Sequence, residues 1–252
     1  MLEICALASG SNGNCYYIGN GSDAVLIDAG ISRRQVLERM KERGLDPGRI
    51  RAILISHEHA DHFRGVRVLS NKLEVPVYMT RKSHEKSWGP NRPTRVLFFE
   101  PGEVLEVGAF KIHSFLKLHD AAEPCSFRVE HAGKNVGVFT DIGEPCDNVR
   151  RELPLCDALF LEANYDEDML WSGPYPPHLK VRVAGDRGHL SNLQAFELLQ
   201  AHHHANLQVV YLSHLSEENN RPEVAAAAFA PLQERFSVRL TNRYAAAEVF
   251  RL

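Results

Sequence analysis

The segment Ser56-His57-Glu58-His59-Ala60-Asp61-His62 places four metal-ligand side chains, His57, His59, Asp61 and His62, within six residues. It follows the apolar run Ala52-Ile53-Leu54-Ile55, which reads as a buried strand. Residues two apart on an extended chain point the same way, so His57 and His59 can share one ion as the strand runs out. A helical turn immediately afterwards would redirect Asp61 and His62 toward a second position. Imidazole suits zinc, and a carboxylate can bridge two cations and offset their charge. Four such groups at a strand end, where active-site loops commonly sit, are hard to obtain as packing. The competing reading is a polar turn with incidental histidines.

The rest of the chain supplies the elements that must hold this segment. Residues 2–8, 15–18 and 24–27 read as short strands, the first two separated by the turn-rich Ser9-Gly-Ser-Asn-Gly-Asn14. Ser32 with Gln35 forms a capping-box pattern, Val36, Leu37 and Met40 give an apolar stripe, and Gly44 is a stop, so a helix of roughly 11 residues is expected. Further strands are expected over 52–55, 95–98, 110–115, 126–130, 136–140, 158–162 and 208–212, and helices over 193–204 and 223–229. Strands following strands, with single helices between, predict two sheets covered by helices, an α/β sandwich of about four layers in one domain over 1–252.

Composition narrows the function class. With 44% hydrophobic and 24% charged residues, a disordered, collagenous or coiled-coil chain is excluded. The N-terminus carries Glu3 where a secretion signal would be basic, and no stretch approaches the roughly 20 apolar residues of a membrane span, so a cytoplasmic protein is expected. Cys5, Cys15, Cys125, Cys146 and Cys156 are odd in number and form no CxxC pair, which predicts reduced core thiols. A net charge of −3 gives no global attraction to nucleic acid. Locally, residues 81–95 carry Arg81, Lys82, Lys86, Arg92 and Arg95 against the single acid Glu85, together with Trp88. Such a polar loop could grip phosphates and stack a base, or be a solvated surface.

The HxHxDH pattern, preceded by Leu26-Ile27-Asp28-Ala29-Gly30, resembles metallo-β-lactamase-fold hydrolases, and the likeness continues in order through His119 in LHDAAEP, Asp141 in FTDIG and His214 in YLSHLS. It implies a four-layer αββα sandwich in which His57, His59 and His119 bind one divalent ion and Asp61, His62 and His214 another. Asp141 would bridge the two. Zinc is the expected metal, with manganese also accepted by such ligands. Asp28 would orient a histidine rather than ligate. His113, beside apolar residues of a strand, is the competitor of His119 and reads as structural, and His202-His203-His204 at a helix end reads as solvent-facing.

Glu162 in LFLEANY and His189 in GHLSN resemble the glutamate and the Gly-His-Ser element of ribonuclease Z, a phosphodiesterase of the same superfamily, although Asn164 replaces its threonine. Overall, ASGSNGN, LIDAGIS, HEHADH, HDAAEP, LEANYDEDML, YPPHLKVRV, GHLSN and SHLSEENN are similar to the YycJ/WalJ-like group of bacterial proteins. The resemblance implies a nucleic-acid phosphodiesterase, DNA before RNA, with a DNA 5′-exonuclease expected. A metal-bridging hydroxide would attack phosphorus, Asp61 would orient or deprotonate it, and His189 assisted by Glu162 would protonate the departing oxygen. The turn at residues 9–14 could offer amides to phosphate, or be only a hairpin turn. A thioester or other small-molecule hydrolase on the same dinuclear site, or a non-catalytic metal-dependent binding protein, are the alternatives. No long Gly/Pro-rich arm of the ribonuclease Z kind is present, and Asp141 and His214 are too close in sequence for a β-CASP insertion.

Overall fold

The computed structural model describes residues 1–87 and 89–252, so Trp88 of the basic segment lies outside the described residues. Two seven-stranded mixed sheets pack face to face. In chain order the elements are β1 (Glu3–Ala8), β2 (Cys15–Gly19), β3 (Ala24–Ile27), α1 (Arg33–Glu42), β4 (Ile50–Leu54), α2 (Ala60–Phe63), α3 (Val66–Leu73), β5 (Val77–Met79), α4 (Arg81–Lys86), β6 (Val96–Phe98) and β7 (Val104–Val107). They continue with β8 (Phe110–Leu116), β9 (Cys125–His131), β10 (Lys134–Phe139), α5 (Asp147–Glu152), β11 (Ala158–Glu162), α6 (Glu167–Ser172), α7 (Pro177–Ala184), α8 (Asn192–His202), β12 (Val209–Ser213), α9 (Pro222–Ala228), β13 (Ser237–Leu240) and β14 (Phe250–Arg251).

The first sheet runs β14-β1-β2-β3-β4-β5-β6 and the second β13-β12-β11-β10-β9-β8-β7. Each consists of an antiparallel meander continued by parallel strands that are reached through helical crossovers. Period-2 alternation builds the layers. In β1, Ile4 and Ala6 enter the inter-sheet core with Phe127, Phe160 and Tyr211. Cys5 and Leu7 point to the opposite side, where Val36 and Met40 of α1 and Val66 and Leu69 of α3 cover the first sheet. A third core of Phe139, Leu161, Leu199 and Phe229 lies under α5, α8 and α9. The four-layer αββα sandwich expected from the sequence is the architecture observed.

The Ser32–Gln35 capping box forms as expected. All five cysteines are free, and four are buried. No helix is long and apolar enough to cross a membrane. The segment expected as a basic loop differs: residues 81–86 form α4, whose N-cap Thr80 accepts from the Ser83 amide at 3.3 Å. A capping hydroxyl followed by residues free of glycine and proline favours a helical turn, which high charge density had obscured. The short strands β5, β7, β13 and β14, and helices α3 to α7, were not legible in the sequence, because elements of a few residues carry too little periodicity.

Phe160 ties the sheets together. It is fully buried, with ring centroids 4.9 Å from Tyr16 and 5.0 Å from Tyr211. Phe160→Ala is expected to cost about 3–5 kcal/mol, read as a lowered denaturation midpoint in urea. A change below about 1 kcal/mol would mean that the core repacks around the lost ring.

Candidate metal centre

Every chemistry-bearing residue expected from the sequence sits at the same end of the sandwich, where strands run out. His57 and His59 follow β4, His119 follows β8, Asp141 follows β10, Glu162 closes β11 and His214 follows β12. After β4 the chain makes the predicted switch: His59 is the N-cap of α2, which carries Asp61 and His62 in the next turn. Asp28, Asp141 and His214 all take positive φ, 63°, 54° and 57°. Non-glycine residues rarely adopt this conformation, which turns the chain sharply at the strand end and directs each side chain to a common point.

Three groups form there, the last two sharing Asp141 and His214: His57, His59 and His119; Asp61, His62, Asp141 and His214; and Asp141, Glu162, His189 and His214. In the first, His119 Nε2 lies 3.4 Å from His59 Nδ1, and the His57 and His119 ring centroids are 4.9 Å apart. In the second, Asp61 Oδ2 is 3.4 Å from His62 Nε2 and 3.3 Å from His214 Nε2. Asp141 stands between the groups: Oδ2 is 3.0 Å from His62 Nε2, while Oδ1 is 3.5 Å from His214 Nδ1 and 3.8 Å from His119 Nε2. That placement suits a bridging carboxylate.

Hydrogen bonds fix which nitrogen of each ring is available. His119 Nδ1 donates to the Gly188 carbonyl at 3.0 Å. His62 Nδ1 donates to Asp28 Oδ2 at 2.7 Å, so Asp28 orients a histidine as expected. The Ser56 amide and hydroxyl donate to the same aspartate at 2.8 and 2.9 Å, and the Ser56 hydroxyl accepts from His57 Nδ1 at 2.9 Å. In all three rings Nε2 is left for the centre. The fully buried Glu162 accepts from His189 Nδ1 at 2.8 Å and His214 Nδ1 at 2.9 Å through Oε1, and from the Ile142 amide at 2.6 Å through Oε2.

The donor set fits divalent cations. His57 Nε2 is buried with no hydrogen-bond partner among the described residues, which costs free energy unless a cation completes it. Electrostatics divides the centre in two. Burial, then the nearby charge of His62, holds His57 well below the usual histidine range, and burial pushes His119 down to about 3, so these imidazoles are neutral and ready to ligate. Burial also opposes protonation of His214, but Asp141, Asp61 and Glu162 outweigh it and raise it to about 10. For His62 the charges of Asp141, Asp61 and Asp28 likewise overcome burial and hold it well above its ordinary value. The acid-rich half therefore gathers protons in the absence of metal.

A model of the Metallo-beta-lactamase superfamily matches residues 8–211. The chain belongs to that superfamily. Exodeoxyribonuclease YycJ of Bacillus anthracis is 33% identical over 240 residues, which span 92% of this chain and 89% of the relative. Exodeoxyribonuclease WalJ of Streptococcus pneumoniae is 35% identical over 228 residues, 87% of this chain and 83% of the relative. In structure, the metallo-β-lactamase fold protein YhfI from Bacillus subtilis aligns with a TM-score of 0.74 at 17% identity, over 98% of this chain and 100% of that one, which shows a shared fold.

Several parts of this metallo-β-lactamase centre were not anticipated. Asp120 has Oδ1 3.5 Å from His119 Nε2, while Oδ2 accepts from Arg182 Nε of α7 at 2.6 Å. Its position directly after His119 was the only available signal. The buried Lys117 donates to the Thr140 carbonyl at 2.6 Å. The 9–14 segment is a turn: the Gly13 amide donates to the Gly10 carbonyl, the Gly10 amide to Asn14 Oδ1, and the Asn14 amide to the Asp61 carbonyl at 2.7 Å. It braces α2, which carries Asp61 and His62. His113 pairs with Glu130 at 2.9 Å and takes no part. The histidines at 202–204 are half-buried rather than solvent-facing, because His203 packs on Phe236 with centroids 5.4 Å apart.

Ligation requires neutral imidazole, so His214, protonated at pH 7 with a value of about 10, must lose its proton when a cation binds. Zinc loading of the apo-protein at pH 7 is expected to release at least about one proton per chain, read by titration calorimetry in buffers of differing ionisation enthalpy. Zinc binding without proton release would show that the acid cage is not protonated.

Proposed function

We propose that the chain is a metal-dependent phosphodiesterase acting on nucleic acid, DNA before RNA, and specifically a DNA 5′-exonuclease. His57, His59 and His119 hold one divalent ion and Asp61, His62 and His214 the other, with Asp141 between them and zinc preferred to manganese. The observation that carries the reading is the Glu162–His189 pair beside the double cluster. Glu162 is fully buried, yet it is held down to about 2: burial raises it, and the charge and hydrogen bonds of His189, with the bond from His214, overcome that. A carboxylate so held fixes the His189 ring through Nδ1. Nε2, without a partner among the described residues, remains to donate a proton at a half-open rim where the side chain is 20% exposed. A phosphodiester needs such a donor for its departing alkoxide, whereas a thiolate leaves unaided. The relatives named exodeoxyribonuclease YycJ and WalJ support the nuclease part of this reading.

The chemistry that two bound divalent ions supply is activation of water near neutral pH and neutralisation of phosphoryl charge. Asp61 Oδ2 faces His214 Nε2 at 3.3 Å, and Oδ1, without a hydrogen-bond partner among the described residues, is left to orient the attacking water and take its proton. The water oxygen bonds to phosphorus as the ester P–O bond breaks, and His189 Nε2 delivers a proton to the leaving oxygen. Arg182, held by Asp120 at the rim, meets charge on the non-bridging oxygens.

His189→Ala is expected to slow hydrolysis of end-labelled single-stranded DNA by roughly 10²- to 10⁴-fold with metal content unchanged. Glu162→Gln should lower turnover and also weaken occupancy of the second position, because His214 depends on the same carboxylate. Loss of metal from His189→Ala, or full turnover by it, would falsify the assigned proton donor.

A further inference from the structure

A cavity of about 510 Å³ opens beside the N-terminal turn, away from the residues assigned to catalysis. Arg33, Arg39, Arg64 and Arg243 line it, and no carboxylate does among the described residues. Arg39 is only 7% exposed, and its guanidinium donates to the carbonyls of Leu7 at 2.7 Å and Arg243 at 3.4 Å, with no acidic partner. Arg64 is held in the same way by the carbonyls of Gly30 at 2.9 Å and Asn12. Carbonyls fix the direction of a guanidinium without neutralising it. Arg33 has neither an ion pair nor a side-chain hydrogen bond among the described residues, Glu42 acts on Arg39 from beyond ion-pair distance, and Arg243 stands 3.6 Å from the half-exposed Glu217.

Four like charges converging on one cavity repel each other, and a buried cation without an ion-pair partner is costly. The carbonyl bonds of Arg39 and Arg64 brace the backbone but leave that repulsion in place. The N-terminus of the ten-residue α1, capped by Ser32 and free of acids in its first turn, opens on the same space and adds positive potential. Guanidinium groups and helix amides together suit phosphate. A second cavity of about 470 Å³ contains His59 and Lys86 and shares Arg64 with the first, so Arg64 stands between the candidate metal centre and the other arginines.

We infer that the arginine-lined cavity is a phosphate-binding subsite, holding a nucleotide phosphate of the substrate strand remote from the one being cleaved. This rests on the nuclease reading and adds to it a binding site that sets how the strand lies. The exposed ring of Tyr244 at the rim offers a face for a neighbouring base.

The test uses the zinc-loaded enzyme and hydrolysis-resistant phosphorothioate single-stranded DNA, carrying either a 5′-phosphate or a 5′-hydroxyl, with affinity read by fluorescence anisotropy across a salt series. Arg33 is exposed and lies at a helix N-terminus, where an acid is favourable, so Arg33→Glu keeps the fold. It is expected to weaken binding about tenfold and to reduce the salt slope by about 1, irrespective of base sequence. Reversal at Arg235, an exposed arginine that lines neither cavity, should have a much smaller effect. Equal losses for both 5′ ends identify an internal phosphodiester, and a loss confined to the phosphorylated strand identifies the terminal phosphate; either supports the subsite. Unchanged affinity of Arg33→Glu, or a loss matched by Arg235→Glu, overturns the subsite alone. Failure of the unsubstituted enzyme to bind any of the strands overturns the nuclease reading and the subsite together.

Discussion

Burial of several carboxylates at one end of a sandwich is the constraint on which the rest of the molecule depends. Asp28, Asp141 and Glu162 are at most 1% exposed, and Asp61 joins them at the rim. An isolated carboxylate in such a position would protonate or prevent folding, so the fold must surround each with donors and cations. It does so with strand-end amides, the Ser56 hydroxyl, and histidines whose Nδ1 atoms face outward to their partners. Once Nδ1 is committed, Nε2 can only face the centre. The arrangement that neutralises buried acid is thereby the one that aligns the donors for metal.

The two sheets share one topology, and that repetition explains where the acids sit. In each, four antiparallel strands are continued by three parallel ones, and the last antiparallel strand, β3 or β10, is followed by an aspartate with positive φ two residues before a glycine. The sequences are Leu26-Ile27-Asp28-Ala29-Gly30 and Phe139-Thr140-Asp141-Ile142-Gly143. Both glycines lie against backbone: a Cβ at Gly30 would meet the Asp61 carbonyl at 1.5 Å, and one at Gly143 the Asp186 carbonyl at 2.3 Å. Equivalent turns thus serve different ends. Asp28 supports His62 from behind, while Asp141 stands between the two histidine groups. Backbone strain of about 1–3 kcal/mol at each such residue is sustained because the surrounding contacts leave the chain no other path.

The dense metal-ligand segment was legible because its spacing answers to two periods, extended at His57 and His59 and helical at Asp61 and His62. The longer elements were legible for the same reason: α1 has its capping box and β11 its unbroken apolar run. His119, Asp141, His214, Glu162 and His189 carry no local signal of their chemistry. Each is one acid or imidazole at the end of an apolar strand or before a helix, and only family likeness united them. Asp120 and Lys117 were invisible because their significance is purely tertiary. The basic segment misled because charge was read as loop, whereas the Thr80 cap decides the local structure.

A centre built from buried carboxylates presents a problem for a nuclease, since its substrate is a polyanion and the chain carries a net charge of −3. Before metal binds, the cage is partly neutralised by protons on His62 and His214; afterwards the ions reverse its sign locally. That reversal acts at short range only, because at physiological ionic strength screening limits electrostatic attraction to about 8 Å. Holding a strand beyond the reacting phosphate therefore falls to fixed cations outside the centre. Lys86 on α4 and the carbonyl-anchored Arg64 line the cavity that contains His59, the carbonyl-anchored Arg39 lines the neighbouring arginine cavity, and Arg182 stands beside Asp120. Arg39 and Arg64 are positioned by backbone carbonyls rather than by acids, whereas Arg182 is held by Asp120. In the proposed nuclease, the buried acids would set the polarity of the centre, while Arg39 and Arg64, anchored by carbonyls rather than by carboxylates, would be left to meet the strand.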